Sequence, residues 1–364
     1  MAVATQLQTI VGLSRCARPT HSKGNGILID ADDRPHRTTD PHRATPQSGR
    51  AFALLGLILV LGACQASGLS QTQSVAVSAP PTSTVVPSAA ASALCPSLPV
   101  DGHLTVETAG GNRQALVHLP ASTADGGPFP IVLVLHGFGD TAAVVEDQTA
   151  FSTKADQAGF AAVYPQGIGD PPQWDIAGAS DEAFIGSLLT MLKLDPCVDP
   201  TRIYATGMSM GGGMVNALGC RLSDRIAAIA PVSGLYGPGW EGACAPTRPM
   251  PVIAFHGVLD SVVPYEGGSI EGSTADTPPV IAVESWAAGW ATRNHCDPDP
   301  VSQPAIGQVV PLFWQDCTAP VELYRTQDGH SWPGSSFDDA QTNRDVSATD
   351  LIWQFFSTQT LTPT

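Results

Sequence analysis

Residues 203–220 read IYATGMSMGGGMVNALGC. The opening Ile203–Thr206 is β-branched and apolar, as a buried strand should be. From Met210 to Cys220 the spacing is helical. Between them lies Gly207-Met208-Ser209-Met210-Gly211, a G-x-S-x-G motif followed by Gly212 and Gly213. Alone the motif is weak, but a strand before it and a helix after it give it mechanical meaning. A sharp strand-to-helix turn holds the serine in a strained backbone conformation with its hydroxyl outward. The residues two places either side must be small, or their side chains would strike the adjoining backbone. The helix start presents free N–H groups and the positive end of its dipole.

The same alternation continues on both sides of this unit. Ile131–Leu135, Phe160–Tyr164, Ile226–Val232 and Val252–Phe255 read as buried strands. Asp181–Leu192 and Ser285–Asn294 read as helices, and Val321–Arg325 and Thr349–Ser357 as a later strand and a terminal helix. Strands alternating with helices predict a mostly parallel sheet covered on both faces, with functional groups at the carboxyl ends of the strands. Such a sheet bearing a G-x-S-x-G elbow predicts the α/β-hydrolase fold.

A serine hydroxyl needs a base, and the base an orienting carboxylate. In this fold the chain order is Ser, acid, His. Of the histidines after Ser209, His256 leaves no suitable carboxylate ahead of it. His295 sits at a helix end beside Cys296 and reads as a surface or capping residue. His330, in Asp328-Gly329-His330-Ser331-Trp332-Pro333-Gly334, follows a strand in a Gly- and Pro-shaped loop. Asp260 lies just beyond Val252–Phe255, whereas Asp297, Asp299 and Asp316 follow no strand. The expected catalytic set is therefore Ser209, Asp260 and His330. The amides of Met210 and of Phe138, in the loop His136-Gly137-Phe138-Gly139-Asp140, are the expected oxyanion donors. His136 and His256 read as structural strand-end residues. Trp174 and Trp332 can line a substrate pocket, or equally fill the core.

The chain has 364 residues and a net charge of −16, from 17 Lys and Arg against 33 Asp and Glu. No basic run or face is evident, which argues against a nucleic-acid partner. Residues 51–62 read AFALLGLILVLG, preceded by Arg50 and ending in Leu61-Gly62-Ala63-Cys64. This run is shorter than the roughly 18 residues of a membrane-spanning helix and suits the core of an export signal. The last four residues resemble a bacterial lipobox, which implies lipidation of Cys64 and a protein held at the extracellular side or cell envelope. The expected organisation is a polar extension over 1–50, a signal core and lipobox over 51–64, a flexible Ser/Thr/Pro/Ala linker over 65–94 and the catalytic domain over 95–364. The lipid anchor is then the only membrane contact.

Cys16 precedes the predicted cleavage point and Cys64 takes the lipid. The six cysteines left in an exported domain suggest three disulfides. The expected pairing is Cys95–Cys197, Cys220–Cys244 and Cys296–Cys317, the last two being close in sequence. No metal-ligand spacing occurs, so neither a metal nor an organic cofactor is expected.

These motifs together bring a family into view. LHGFGD over 135–140, YPQG over 164–167, GMSMGGG, AAIAPVSG over 227–234, FHGVLDSVVPYEGG over 255–268 and GHSWPG over 329–334 resemble secreted esterases of the polyhydroxybutyrate-depolymerase and feruloyl-esterase group, which includes bacterial lipoprotein esterases. The resemblance covers nearly all of 95–364 and implies the triad Ser209, Asp260 and His330. It implies ester hydrolysis through an acyl-enzyme, on feruloyl-polysaccharide esters or short hydroxyalkanoate oligomers. A monomer is expected. Many relatives carry Asp where Gln166 stands and two Asp where Asp181-Glu182 stand. The rival readings are an exported serine peptidase of the same fold and a non-catalytic lipoprotein binding module.

Overall fold

A computed structural model describes residues 98–361, apart from positions 100, 126, 275–276 and 338–341. The predicted signal core, lipobox Cys64, linker and Cys95 lie outside the described residues. The elements in chain order are β1 (Gly102–Thr108), β2 (Gly111–His118), β3 (Phe129–Leu135), α1 (Ala142–Thr149), α2 (Phe151–Ala158), β4 (Ala161–Pro165), α3 (Ser180–Lys193) and β5 (Val198–Met208). Next come α4 (Met210–Arg221), β6 (Ala228–Val232), α5 (Pro238–Gly242), β7 (Val252–Gly257), α6 (Val283–Arg293), β8 (Val301–Ser302), β9 (Val309–Phe313), β10 (Val321–Thr326) and α7 (Ala348–Phe356).

The strands form one sheet in the order β1-β2-β4-β3-β5-β6-β7-β10-β9-β8. Its middle, β4-β3-β5-β6-β7-β10, is parallel. The edges are antiparallel: β1 with β2, β2 with β4, and β10 with β9 and β8. All seven residues of β3 are buried, as its unbroken apolar run requires. Alternate residues feed two cores. Ile131, Leu133 and Leu135 face one side with Leu188 and Leu189 of α3, Met214 of α4, and Trp286 and Trp290 of α6. Val132 and Val134 face the other side with Phe151 of α2 and Ile352 and Phe356 of α7. This is the fold class expected from the sequence.

Helix α4 is buried along nearly its whole length, and its glycines permit that. A methyl group on Gly211 would lie 2.3 Å from the Leu135 carbonyl oxygen, and one on Gly207 2.7 Å from the same atom. Only hydrogen at these positions lets the helix start sit against β3 and β5. Two of the expected disulfides are present. Cys220–Cys244 ties the end of α4 to the segment before β7, and Cys296–Cys317 ties the end of α6 to the β9–β10 connection. Cys197 is also disulfide-bonded.

Candidate functional site

Ser209 sits between β5 and α4 with φ 57° and ψ −121°. A non-glycine residue at such angles costs on the order of 1–3 kcal/mol and persists only where its surroundings enforce it. Here they do. Its N–H donates to the Val232 carbonyl at 2.9 Å, and its own carbonyl accepts from Gly213 at 3.0 Å and Leu235 at 3.3 Å. The side chain is half-buried while its neighbours are buried, so the hydroxyl remains reachable.

The loop after β3 closes one side of Ser209. A methyl group on Gly137 would lie 3.5 Å from Ser209 Cβ and 3.0 Å from Asp140 Oδ2. A tight turn carries the loop, with Asp140 N–H donating to Gly137 O at 3.3 Å and Gly139 N–H to Pro172 O at 2.8 Å. Among the described residues no acceptor meets the Phe138 or the Met210 amide. Two unpaired N–H groups therefore belong to the segments that flank the serine, as an oxyanion site requires.

His136 holds this loop in place. It is wholly buried. Its Nε2 accepts from the Gly167 N–H at 2.9 Å, with the Gln166 amide nitrogen 3.2 Å away. Both neighbours are donors, so the ring proton resides on Nδ1, which donates to the Gly137 carbonyl at 2.7 Å. That carbonyl and the Phe138 N–H belong to one planar peptide, so fixing one aims the other. Burial lowers the pKa of His136 and keeps the ring neutral, more than its contact with the Gly137 carbonyl raises it. Gln166 adds a second tie, its side-chain oxygen accepting from the Ala142 N–H at 2.9 Å. Trp174, 2% exposed, packs on His136 with ring centroids 4.9 Å apart and donates to its carbonyl at 2.8 Å.

Asp260 follows β7 in a turn whose amides grip its carboxylate. Oδ1 accepts from Val262 at 2.9 Å and Val263 at 2.8 Å. Oδ2 accepts from His330 Nδ1 at 2.8 Å. Burial pushes the carboxyl up, but hydrogen bonds from His256 and His330 outweigh it and hold Asp260 well below the usual carboxylate range. With its Nδ1 proton on Asp260, His330 has Nε2 free to accept a proton.

The His330 loop is bolted to its neighbours. Asp328 accepts from Ser331 Oγ at 2.9 Å, from the Asn343 N–H at 3.1 Å and from Thr326 Oγ1. Its carbonyl accepts from Leu259, beside Asp260, at 3.0 Å. Ser233 Oγ donates to the Ser331 carbonyl at 3.1 Å. Since Ser209 is bonded to Val232, the adjoining pair Val232–Ser233 bridges the elbow and the base loop. Register completes the alignment: Met208, Val232, Phe255 and Tyr324 pair across β5, β6, β7 and β10. Ser209, Asp260 and His330 thus follow the same ends of β5, β7 and β10, within the parallel run β5-β6-β7-β10.

Other expectations resolve differently. Trp332 is 1% exposed, lies edge-on to Phe151 and donates to Thr349 Oγ1 at 3.0 Å. Packing therefore accounts for both tryptophans singled out above. Asp181 is buried against Arg113 at 2.7 Å, and its Oδ2 accepts from the Asp175 N–H at 2.5 Å. His295 is exposed at the end of α6, as expected. What sequence reasoning passed over is His256, whose Nε2 lies 3.3 Å from Asp260 Oδ2. The available signal was the dipeptide His-Gly at two strand ends, 136–137 and 256–257.

A mostly parallel sheet with a strained serine at a glycine-lined elbow after β5, and an Asp–His pair in the loops after β7 and β10, defines the α/β-hydrolase class. The family described as Esterase PHB depolymerase matches residues 114–245. That stretch holds Ser209 and the loop after β3, and over it the chain resembles this family. It is similar to the bifunctional acetylxylan esterase/xylanase XynS20E of Neocallimastix patriciarum, 33% identical over 163 residues, 45% of this chain and 23% of that one. It is also similar to feruloyl esterase B of Piromyces equi, 30% identical over 198 residues, 52% of this chain and 37% of that one. The chain thus spans less than half the length of these two relatives. Among solved structures, an acetyl xylan esterase from Aspergillus awamori superposes with a TM-score of 0.51 at 16% identity, covering 70% of this chain and 99% of that one. That likeness speaks to the fold.

Proposed function

We propose that the protein is a serine hydrolase of carboxylic esters, acting through an acyl-enzyme. Ser209 Oγ attacks the ester carbonyl while His330 Nε2 takes its proton. Asp260 holds His330 in the tautomer that leaves Nε2 free and stabilises the imidazolium as it forms. The Phe138 and Met210 amides stabilise the tetrahedral oxyanion. His330 returns the proton to the departing alcohol, and water then repeats the sequence to release the acid. The observation that carries this reading is the Asp260–His330 hydrogen bond of 2.8 Å, on the strand ends next to a serine held at φ 57°.

The substrates proposed are feruloyl or acetyl esters of plant polysaccharide, in keeping with the names of the relatives. Short hydroxyalkanoate oligomers are the alternative within the same chemistry. The protein is proposed to work outside the cytoplasm as a monomer, anchored through Cys64 and carried on the 65–94 linker. Its disulfides and the signal-like segment at 51–64 support that placement.

Hydrolysis of methyl ferulate, a nitrophenyl acetate and a soluble hydroxybutyrate oligomer by wild type and Ser209→Ala tests the reading. Wild type is expected to cleave at least one ester, and the variant to lose about 10⁴-fold or more in kcat with an unchanged fold. Full activity in the variant would overturn it.

A further inference from the structure

His256 is buried at the end of β7, 1% exposed, and the mechanism above does not use it. Its Nε2 lies 2.9 Å from the Val263 carbonyl and 3.3 Å from Asp260 Oδ2. Both neighbours are acceptors, so Nε2 carries a proton. Nδ1 is buried with no partner among the described residues. A proton there as well would be a stranded buried donor, which fixes the ring as the neutral Nε2–H tautomer. The Nε2 proton, bonded to the Val263 carbonyl, thus also faces Asp260 Oδ2, the oxygen that accepts from His330, while two amides occupy the other oxygen.

Resting on the serine-esterase reading above, we propose that His256 is a positioning residue for the acid. By sharing Asp260 Oδ2 with His330 it fixes the oxygen that His330 meets and draws charge away from it. A carboxylate with one fewer donor holds an imidazolium more tightly. Without His256, His330 should become a productive base only at higher pH.

The charged and titratable groups around this centre are few. Asp260 faces His256 directly, and His330 meets the same Asp260 oxygen. The rings of Tyr236 and Tyr265 pack on it at 6.3 Å and 5.9 Å between centroids. Beyond Tyr265 stand Glu284 of α6, bonded to its hydroxyl at 2.8 Å, and Arg325 of β10, 3.3 Å from Glu284. Asp140 interacts electrostatically with His330. Of these, His256 is the group that brings a second N–H against the oxygen that His330 uses.

The test combines kinetics and histidine-ring NMR on the full chain. In wild type, the His256 ring proton should reside on Nε2, and its signal should respond to protonation of His330. His256→Leu should shift the acid limb of kcat/KM upward by about half a pH unit or more and lower kcat about tenfold. His256→Gln, whose amide N–H can reach the Nε2 position, should restore both. His256→Asn, whose amide reaches only the Nδ1 position, should not. If the leucine variant fails to fold, the Gln–Asn pair and the wild-type spectrum decide. An unprotonated Nε2, an unmoved acid limb in the folded variants, or Gln no better than Asn would overturn the inference while leaving ester hydrolysis intact. If wild type cleaves no ester the proposed function falls, and the NMR titration still decides whether the two histidines are coupled.

Discussion

The two His-Gly dipeptides make an instructive pair. His136-Gly137 follows β3 and His256-Gly257 ends β7. Both histidines are buried at the same end of a parallel sheet, yet they hold opposite tautomers. His136 meets two donors at Nε2 and donates from Nδ1 to a carbonyl, which aims the Phe138 amide. His256 meets two acceptors at Nε2 and supports the carboxylate. In the proposed mechanism one dipeptide serves the groups that stabilise negative charge on substrate, the other the groups that move the proton. The environment of the ring, not the residue type, assigns the role.

The glycines of the pair differ as well, and they supply the sharpest tests. A methyl on Gly257 would lie 2.2 Å from the Asp328 carbonyl oxygen and 2.5 Å from that of Gly329. These are backbone atoms of the His330 loop, so Gly257→Ala must displace the base. A displacement of about 1 Å costs roughly 100-fold, and kcat is expected to fall at least that far. His136→Leu should come next. It frees the Gly137–Phe138 peptide, and kcat should drop roughly 10- to 100-fold with KM little changed, since one oxyanion donor loses its aim. Gly137→Ala should be milder. The new methyl meets Asp140 Oδ2, the end of a side chain that can swing aside, and a loss of about tenfold or less is expected. If Gly137→Ala proves worse than Gly257→Ala in steady-state kinetics, the assigned division of labour is wrong.

The smallest effects concern stability, and they carry opposite signs on the two sides. On the β3 side, burial lowers the pKa of His136 below its unfolded value. The unfolded chain binds the proton better, so this contribution to stability is lost as pH falls below about 6.5. On the β10 side, burial pushes the Glu322 carboxyl up to about 7 despite a hydroxyl contact from Tyr324. The folded chain binds that proton better, so stability is lost as pH rises from the ordinary glutamate range toward 7 and above. Glu322→Gln should therefore stabilise the protein by on the order of 1–3 kcal/mol near pH 8, and by little near pH 4. Tm measured across that range checks both the sign and the window.

Much of this arrangement is legible in the sequence itself. The buried parallel strands announce themselves as unbroken apolar runs, and the G-x-S-x-G turn between strand and helix marks the serine. Chain order then selects Asp260 and His330. The antiparallel edge strands are not legible. In β1, HLTVET is short and mostly polar, with only Val106 buried, and β8 has two exposed residues. Helices α1 and α2 escape sequence reading because AAVVEDQT and FSTKADQA bury few apolar side chains. The role of His256 cannot be read there either. It depends on the turn after Gly257 curling back until Val263 lies beside the ring, which no spacing rule specifies. The neutral state of His136 likewise depends on Gly167, 31 positions away.

The central claim is that Ser209 is the nucleophile of an acyl-transfer site. The most direct measurement is mass spectrometry of the intact protein, and then of its peptides, after reaction with a nitrophenyl phosphonate that traps activated serines. One covalent adduct per chain is expected, on the peptide containing Ser209, absent from Ser209→Ala and strongly slowed in His330→Ala. No adduct on the folded wild type, or an adduct on another residue that survives in Ser209→Ala, would contradict it.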